Sequence, residues 1–215
     1  MEYQAAETYI LSRLRDELSP TLYYHGLHHT LDVRETAMRL AAAEGIDDTE
    51  LLLLLRTAAC FHDAGFLTTY RQHEEEGCQI ARDILHAYDY SPDQIATICG
   101  MIMATQIPQT PQTSLEQILC DADLDYLGRQ DFEPIANSLF RELQARNLVA
   151  DEMAWNRIQV KFLESHHYWT PTAINWRQAN KQARLVFLKN IVELKWGVVD
   201  TFGRSAAAGK SATYC

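Results

Sequence analysis

The sequence lacks an apolar run long enough to cross a bilayer. Its longest, Leu51 to Leu55, has five residues, whereas a membrane-spanning helix needs about 20. The first ten residues, MEYQAAETYI, carry acids and not the basic segment and apolar run of a secretion signal. We therefore expect no membrane association and a cytoplasmic location.

Cysteines in metal-binding or redox spacing are missing as well. The five cysteines form no C-x-x-C pair, and four of them lie in apolar helical context: Cys60, Cys78, Cys99 and Cys120. In that setting a free thiol behaves as a small hydrophobic side chain. This usage fits a reducing compartment.

Positive charge is scarce. The chain has 19 basic and 29 acidic residues, for a formal net charge of −10. Without a general basic surface, binding to a nucleic-acid backbone is disfavoured. A phosphorylated substrate would need concentrated positive charge in its pocket, and a bound divalent cation supplies it most directly.

Alternation of apolar and polar residues, the mark of a half-buried strand, is also absent, whereas helical periodicity runs from Tyr3 to Trp196. The predicted fold class is all-α, a single-domain helical bundle over residues 1–202. The small and polar residues 203–215 are predicted to be disordered. The predicted helices cover roughly residues 3–18, 27–44, 48–62, 73–88, 92–105, 114–127, 131–147, 151–166 and 171–196.

Several helix boundaries carry local signals. Ser91 followed by Pro92 predicts an N-cap and a proline at the first helical position. Ser114 and Gln117 have the spacing of a capping box. The two prolines within residues 106–113 predict a loop that borders a pocket.

The helix predicted at residues 48–62 is apolar almost all round, as expected of a helix buried by its neighbours. It leads directly into His62 and Asp63. Burying charged groups without partners costs several kcal/mol. An ionisable pair at the end of such a helix must therefore be satisfied by something, and a metal ion is one candidate.

Metal-ligand residue types concentrate in four segments: YHGLHHTLDV (24–33), FHDAGF (61–66), HEEEG (73–77) and CDADLDYLG (120–128). In the first segment His25, His29 and Asp32 would form one stripe if all three were helical. Together with His62, Asp63 and a carboxylate from Asp123 or Asp121, a mixed nitrogen and oxygen shell could form. Such a shell suits manganese, iron, zinc, nickel or magnesium.

A histidine, then an adjacent His–Asp pair, then a distant aspartate is a pattern that resembles the HD-domain superfamily of metal-dependent phosphohydrolases. The likeness covers about residues 22–130, with residues 131–196 as C-terminal helices of the same bundle. It implies an HD-type helical fold and a divalent metal held by His29, His62, Asp63 and Asp123.

The first segment is also similar to the Y-H-N-x-x-H-A-x-D-V signature of cyclic-nucleotide phosphodiesterases. That alignment makes His29 the ligand and puts His25 where those enzymes keep the histidine that protonates the leaving oxygen. It favours Asp123 over Asp121 as the distant ligand. Gly26 replaces the family asparagine, and the family's C-terminal half has no counterpart here.

His73 and Gly77 match the H-x-x-x-G element of subgroups that bind a second metal. The histidines that should follow are replaced by Thr105 and Gln106, so His73 is a candidate for either a second metal or the substrate phosphate. Three further candidates are less specific: Asp32 as an orienting or solvated carboxylate, Arg71 as a phosphate contact or surface residue, and Asp121.

Two other patterns are expected to lie outside the site. The acidic run at residues 74–76 is predicted to be solvated helix surface, and His166 with His167 is interpreted as packing.

The predicted function is metal-dependent phosphohydrolysis. A metal-activated water would cleave a phosphate monoester or cyclic phosphodiester of a nucleotide or small metabolite, with His25 and Asp63 as catalytic residues. The alternatives are a non-catalytic HD domain that acts as a nucleotide sensor or scaffold with a structural metal, and a di-iron oxygenase. The expected partner is a small phosphorylated substrate, which the resemblance implies is a nucleotide, and a homodimer is allowed.

Overall fold

The computed structural model describes the backbone of residues 1–203 and the side chains of residues 1–194. Within that range all regular secondary structure is helical and there is no strand, which confirms the all-α prediction. No helix in the described range is both long and apolar enough to span a bilayer. Residues 204–215, which make up most of the segment predicted to be disordered, lie outside the described residues.

The helices follow the predicted order. The described chain contains α1 (Tyr3–Glu17), α2 (Leu27–Ala43), α3 (Thr49–Phe61), α4 (His73–Leu85), α5 (Pro92–Ala104), α6 (Ser114–Asp123), α7 (Phe132–Ala145), α8 (Glu152–Ser165) and α9 (Pro171–Gly203). Short 3-10 turns follow α3, α4 and α6, at Ala64–Leu67, His86–Tyr88 and Asp125–Gly128. The predicted α4 and α6 were too long because both helices end in such a turn.

Side-chain caps fix several helix starts. Ser91 accepts a hydrogen bond from the backbone of Gln94, whose side chain accepts one from the Ser91 backbone, as a capping box requires. The box predicted at the start of α6 was shifted by one residue. Thr113 is the cap and Glu116 its partner, since Thr113 has the extended backbone that a cap needs.

The first hydrophobic core is built by α1 to α6 around the central helix α3. α3 contacts α1, α2, α5 and α6, and α4 packs on α5. Leu55, Phe61 and Ile102 are fully buried there. The prediction that α3 is surrounded by its neighbours is confirmed, and the four predicted apolar cysteines are buried as free thiols.

A second core joins α7, α8 and α9 to the turn at 125–128. Phe132, Trp155 and Leu188 are buried in it, and Tyr24, which precedes α2, belongs to the same cluster. The polar ends of α2, α3 and α6 lie between the two cores. This placement brings residues from both parts of the chain to one cleft.

Gly65 sets a close approach that shapes this cleft. A Cβ at that position would lie 1.9 Å from the carbonyl oxygen of His73, so a residue with a side chain would force the backbones apart. The 3-10 turn after His62 and Asp63 can therefore lie directly on the start of α4. His73 reaches Asp63 as a result.

Candidate metal centre

Four side chains, from α2, from α6 and from the two residues after α3, converge between the cores. His29 lies on α2, His62 and Asp63 follow α3, and Asp123 is the last residue of α6. We call these four the His–Asp cluster. These are the four residues that the sequence analysis expected to surround one metal ion.

The atoms of the cluster have the spacing of metal ligands. His29 Nε2 lies 3.0 Å from Asp123 Oδ1 and 3.6 Å from Asp63 Oδ2, and His62 Nε2 lies 3.3 Å from Asp63 Oδ2 and 3.6 Å from Asp123 Oδ1. Ligands about 2.1 Å from one ion stand about 3 Å apart when they are neighbours in its shell. The observed distances are therefore close to those of a shared ion.

The hydrogen bonds of His62 leave its other nitrogen free to bind a cation. His62 Nδ1 lies 2.8 Å from the carbonyl oxygen of Ala59, and a carbonyl can only accept, so Nδ1 carries the proton. Within the described chain, His62 Nε2 and Asp63 Oδ2 are buried and have no hydrogen-bond partner. Orphaned buried polar atoms are rare, and a divalent cation would satisfy both.

The charges of the cluster depend on one another. Burial alone would raise the pKa of Asp63 and Asp123, yet the neighbouring histidines hold the pKa of both carboxyls below the usual range. Burial opposes the charged form of His62, but Asp63 and Asp123 raise its pKa well above the usual value. Without a metal the cluster thus retains protons, and a metal must displace them in order to bind.

His25 stands beside the cluster and is oriented by a residue that the sequence analysis missed. Its Nδ1 lies 2.5 Å from Oε1 of Glu142, on α7. Glu142 also accepts hydrogen bonds from the backbone N–H groups of Tyr24 and His25 and from the hydroxyl of Tyr70. Glu142 is fully buried, and these donors hold its pKa below the usual range although burial opposes this.

His73 also lies beside the cluster. Its Nε2 is 3.5 Å from Asp63 Oδ1, and its ring stacks on Phe66 with centroids 4.0 Å apart. Phe66 also stacks on His25, at 4.4 Å, and the rings of His25 and His73 are 6.1 Å apart. His73 is thus placed where a substrate or a second ion bound by Asp63 could contact it.

The acidic run after His73 differs from the prediction. Glu75 is exposed as expected, but Glu74 is only 7% exposed and faces the same cleft. The prediction of a fully solvated run was therefore wrong at Glu74. The first turn of α4 lies against the turn at 64–67, which covers one face of the helix.

Two predicted candidates lie away from the cleft. Both carboxylate oxygens of Asp121 accept backbone hydrogen bonds, from Trp169 at 2.8 Å and Thr170 at 2.7 Å, so this residue joins α6 to the start of α9. Asp32 binds the guanidinium of Arg129 at 2.6 Å. It does not share a stripe with His25, because α2 begins only at Leu27.

Arg71 is exposed and does not contribute to the wall of the cleft. In this conformation it is a surface residue, the second of the two interpretations that the sequence left open.

The cleft continues from the His–Asp cluster into a cavity of about 260 Å³. His25, Asp63, His73, Glu74 and Asp123 line one end of it. The remainder is lined by apolar side chains, most of them from α7 and α8, and Ile107 of the proline-containing loop also contributes. The predicted contact between that loop and a pocket is confirmed.

Comparison with known proteins agrees with this geometry. Residues 26–125 match the family model of the HD domain. A predicted HD superfamily hydrolase from an uncultured Thermotogales bacterium has a similar structure, with 20% identity and a TM-score of 0.54 over 90% of this chain and 92% of its own. A protein from Lactobacillus plantarum, 19% identical, gives a TM-score of 0.66 over 92% of this chain and 100% of its own. No curated protein matches the sequence.

Proposed function

We propose that this chain, whose residues 26–125 match the HD-domain family model, is a metal-dependent hydrolase of the HD-domain superfamily that cleaves phosphate monoesters or cyclic phosphodiesters. The observation that carries the proposal is the convergence of the His–Asp cluster, in which the buried atoms His62 Nε2 and Asp63 Oδ2 face each other at 3.3 Å but make no hydrogen bond with a described residue. Leaving such atoms unpaired is costly. A nucleotide or small metabolite as substrate, a cytoplasmic location and a homodimer stay predictions from the sequence.

The charge of the cleft supports the need for a cation. Asp63, Glu74 and Asp123 all face its polar end, and like charges would repel an anionic phosphate. When bound, a divalent cation offsets this charge, polarises a phosphoryl oxygen and lowers the pKa of an attacking water. His29, His62, Asp63 and Asp123 are the residues that would hold it.

The proton transfers are assigned to residues around the cluster. Glu142 accepts the Nδ1 hydrogen of His25, which fixes the ring and leaves Nε2 for the substrate. The protonated imidazole of His25 would donate to the departing oxygen, and Asp63 or Asp123 would accept the proton of the attacking water. His73, 3.5 Å from Asp63, would contact the phosphate.

The test compares the wild-type protein with Asp63→Ala. Metal content is measured by mass spectrometry of the purified protein. Turnover is measured with p-nitrophenyl phosphate, bis-p-nitrophenyl phosphate and a nucleotide panel, each with manganese, iron, zinc, nickel or magnesium. We expect Asp63→Ala to lose its metal and to lower kcat/KM by about 1,000-fold or more, or about 4 kcal/mol.

Asp83→Ala is the matched control, because Asp83 is exposed on α4 and remote from the cluster. It should keep both metal and turnover. Turnover that survives in Asp63→Ala would refute the proposal. A wild-type protein that binds a nucleotide tightly but turns over none of the panel would favour the sensor instead.

A further inference from the structure

Two helices outside the HD-domain match, α7 and α8, build much of the apolar part of the cavity wall. On α8, Trp155, Ile158, Phe162 and Leu163 line the cavity, at the i, i+3, i+7 and i+8 positions of one helix face. Leu139 and Leu143 of α7 line it opposite, one turn apart. We call these faces of α7 and α8 the apolar wall.

The cavity is large enough to hold a small organic group. It is open to solvent, since Ile158 in its wall is 42% exposed. An engineered apolar cavity of about 150 Å³ is large enough to bind benzene, and this cavity measures about 260 Å³. Its wall joins the His–Asp cluster directly, since Leu124, Tyr126 and Leu127 follow Asp123 in the lining.

The cavity offers little to a polar or multiply charged organic group. Among the side chains of residues 1–194, no lysine or arginine lines it. The hydroxyl of Thr105 donates to the Ile102 carbonyl, and the amide nitrogen of Gln159 donates to Asn156. Tyr24, Tyr70 and Tyr126 also line the cavity, but the Tyr70 hydroxyl already donates to Glu142. A nucleoside has several donors and acceptors, and each one that these side chains leave unpaired has a cost.

We propose that the substrate of this hydrolase is a phosphate ester of an apolar alcohol or phenol, whose alkyl or aryl group occupies the cavity while its phosphate lies at the His–Asp cluster. The proposal rests on the proposed function for the phosphate end. The proposed substrate has one charged end and one hydrophobic end, and it takes the place of the nucleotide expected from the sequence.

The first experiment measures kcat/KM for ethyl, butyl, hexyl and octyl phosphate and for AMP. The alkyl leaving groups have nearly the same reactivity, so differences report binding of the chain in the transition state. Each buried CH₂ should raise kcat/KM about fourfold, until the chain fills the cavity. Hexyl phosphate should exceed both ethyl phosphate and AMP. If diesters are the better substrates, the same series is made as p-nitrophenyl alkyl diesters.

A matched pair of variants tests whether the alkyl group of the substrate lies in the cavity. Ile158 lines the cavity and is 42% exposed, whereas Ile174, on α9, is 46% exposed and lies outside the cavity. Because both side chains are partly exposed, we expect both positions to accept a polar replacement. Ile158→Asn should lower kcat/KM for hexyl phosphate about tenfold, and by more than it lowers kcat/KM for ethyl phosphate. Ile174→Asn should change neither.

The outcomes separate the two proposals. A rate that does not depend on chain length, or AMP as the best substrate, would overturn the apolar-ester proposal and leave phosphohydrolysis standing. If no ester is cleaved, calorimetry with ethylphosphonate and hexylphosphonate decides. If hexylphosphonate binds more tightly than ethylphosphonate and this difference is lost in Ile158→Asn, the proposal of an apolar ligand stands and the proposal of phosphohydrolysis is refuted. If the two bind equally or not at all, both proposals are refuted.

Discussion

The His–Asp cluster and the apolar wall face the same cleft but differ in origin and chemistry. The cluster comes from α2, α3 and α6, within the HD-domain match at residues 26–125, and consists of imidazoles and carboxylates. The wall comes from α7 and α8, beyond that match, and is almost entirely hydrophobic. Under the two proposals, the His–Asp cluster would carry the reaction and the apolar wall would select the substrate, as expected where function varies on a shared fold.

The largest expected effect separates two aspartates on α6. Asp123→Asn removes an anionic oxygen from the cluster and should lower kcat/KM about 1,000-fold or more, with loss of metal. Asp121→Asn should keep the metal but lower the free energy of unfolding by about 1–3 kcal/mol, because the amide cannot accept both backbone hydrogen bonds. Kinetics, metal analysis and urea unfolding measure the two. Loss of metal in Asp121→Asn alone would reverse the assignment.

Features that depend on local sequence signals could be predicted, and most of them lie in the His–Asp cluster and the helices that supply it. The helices were predicted because their apolar faces and caps are local signals, and the N-cap at Ser91, followed by Pro92, is one that the structure confirms. The His–Asp pair was identified because a charged dipeptide ends a helix that is otherwise apolar. Asp121 and Asp123 could be ranked only by resemblance, since both stand in the same short run of acids.

Glu142 and Glu74 were missed for a physical reason. Glu142 meets His25 across 117 positions of the chain, and a single glutamate on an amphipathic helix has the pattern of a solvated residue. Glu74 is buried only because the turn at 64–67 covers it. The burial of both residues depends on tertiary contacts, which cannot be predicted from the apolar periodicity of a single sequence. The cavity was likewise beyond prediction, because an apolar helix face has the same pattern against a core or a void.

The second prediction tests whether α7, which supplies part of the apolar wall, also contributes to proton transfer through Glu142. Glu142, on α7, is the carboxylate that contacts His25. In Glu142→Gln only one of the two side-chain oxygens remains, so the amide cannot accept hydrogen bonds both from the backbone and from the His25 ring. We expect kcat for alkyl phosphates to fall about 10–100-fold with metal content unchanged. p-Nitrophenyl phosphate should lose less, since its leaving group needs little protonation.

Glu133→Gln is the control for this measurement, because Glu133 is exposed on the same helix α7. It should behave as wild type with both substrates. An equal loss for alkyl and p-nitrophenyl phosphates in Glu142→Gln would indicate a structural role and would leave His25 without an assigned orienting partner.

The smallest predicted effect concerns how the two regions respond to acid. In the His–Asp cluster each buried histidine faces carboxylates, whereas His166, at the end of α8, has Lys181 as its neighbour, with His166 Nδ1 3.2 Å from Lys181 Nζ. Burial, and next the charge of Lys181, lower the pKa of His166 to about 3. An unfolded chain restores a pKa near 6.5, so below that pH the unfolded state binds the proton first.

The free energy of unfolding should therefore fall as the pH drops below about 6.5, and His166 should account for about 2 kcal/mol of the loss by pH 5. His166→Asn keeps an acceptor for Lys181 but cannot titrate, so its loss between pH 7 and pH 5 should be smaller than that of wild type by this amount. His167→Asn is the control, because His167 is exposed and should leave the wild-type curve unchanged. Urea unfolding with a chelator present measures all three proteins. Parallel curves for wild type and His166→Asn would mean that His166 already binds its proton in the folded state, which would remove the contrast in acid response between the two regions.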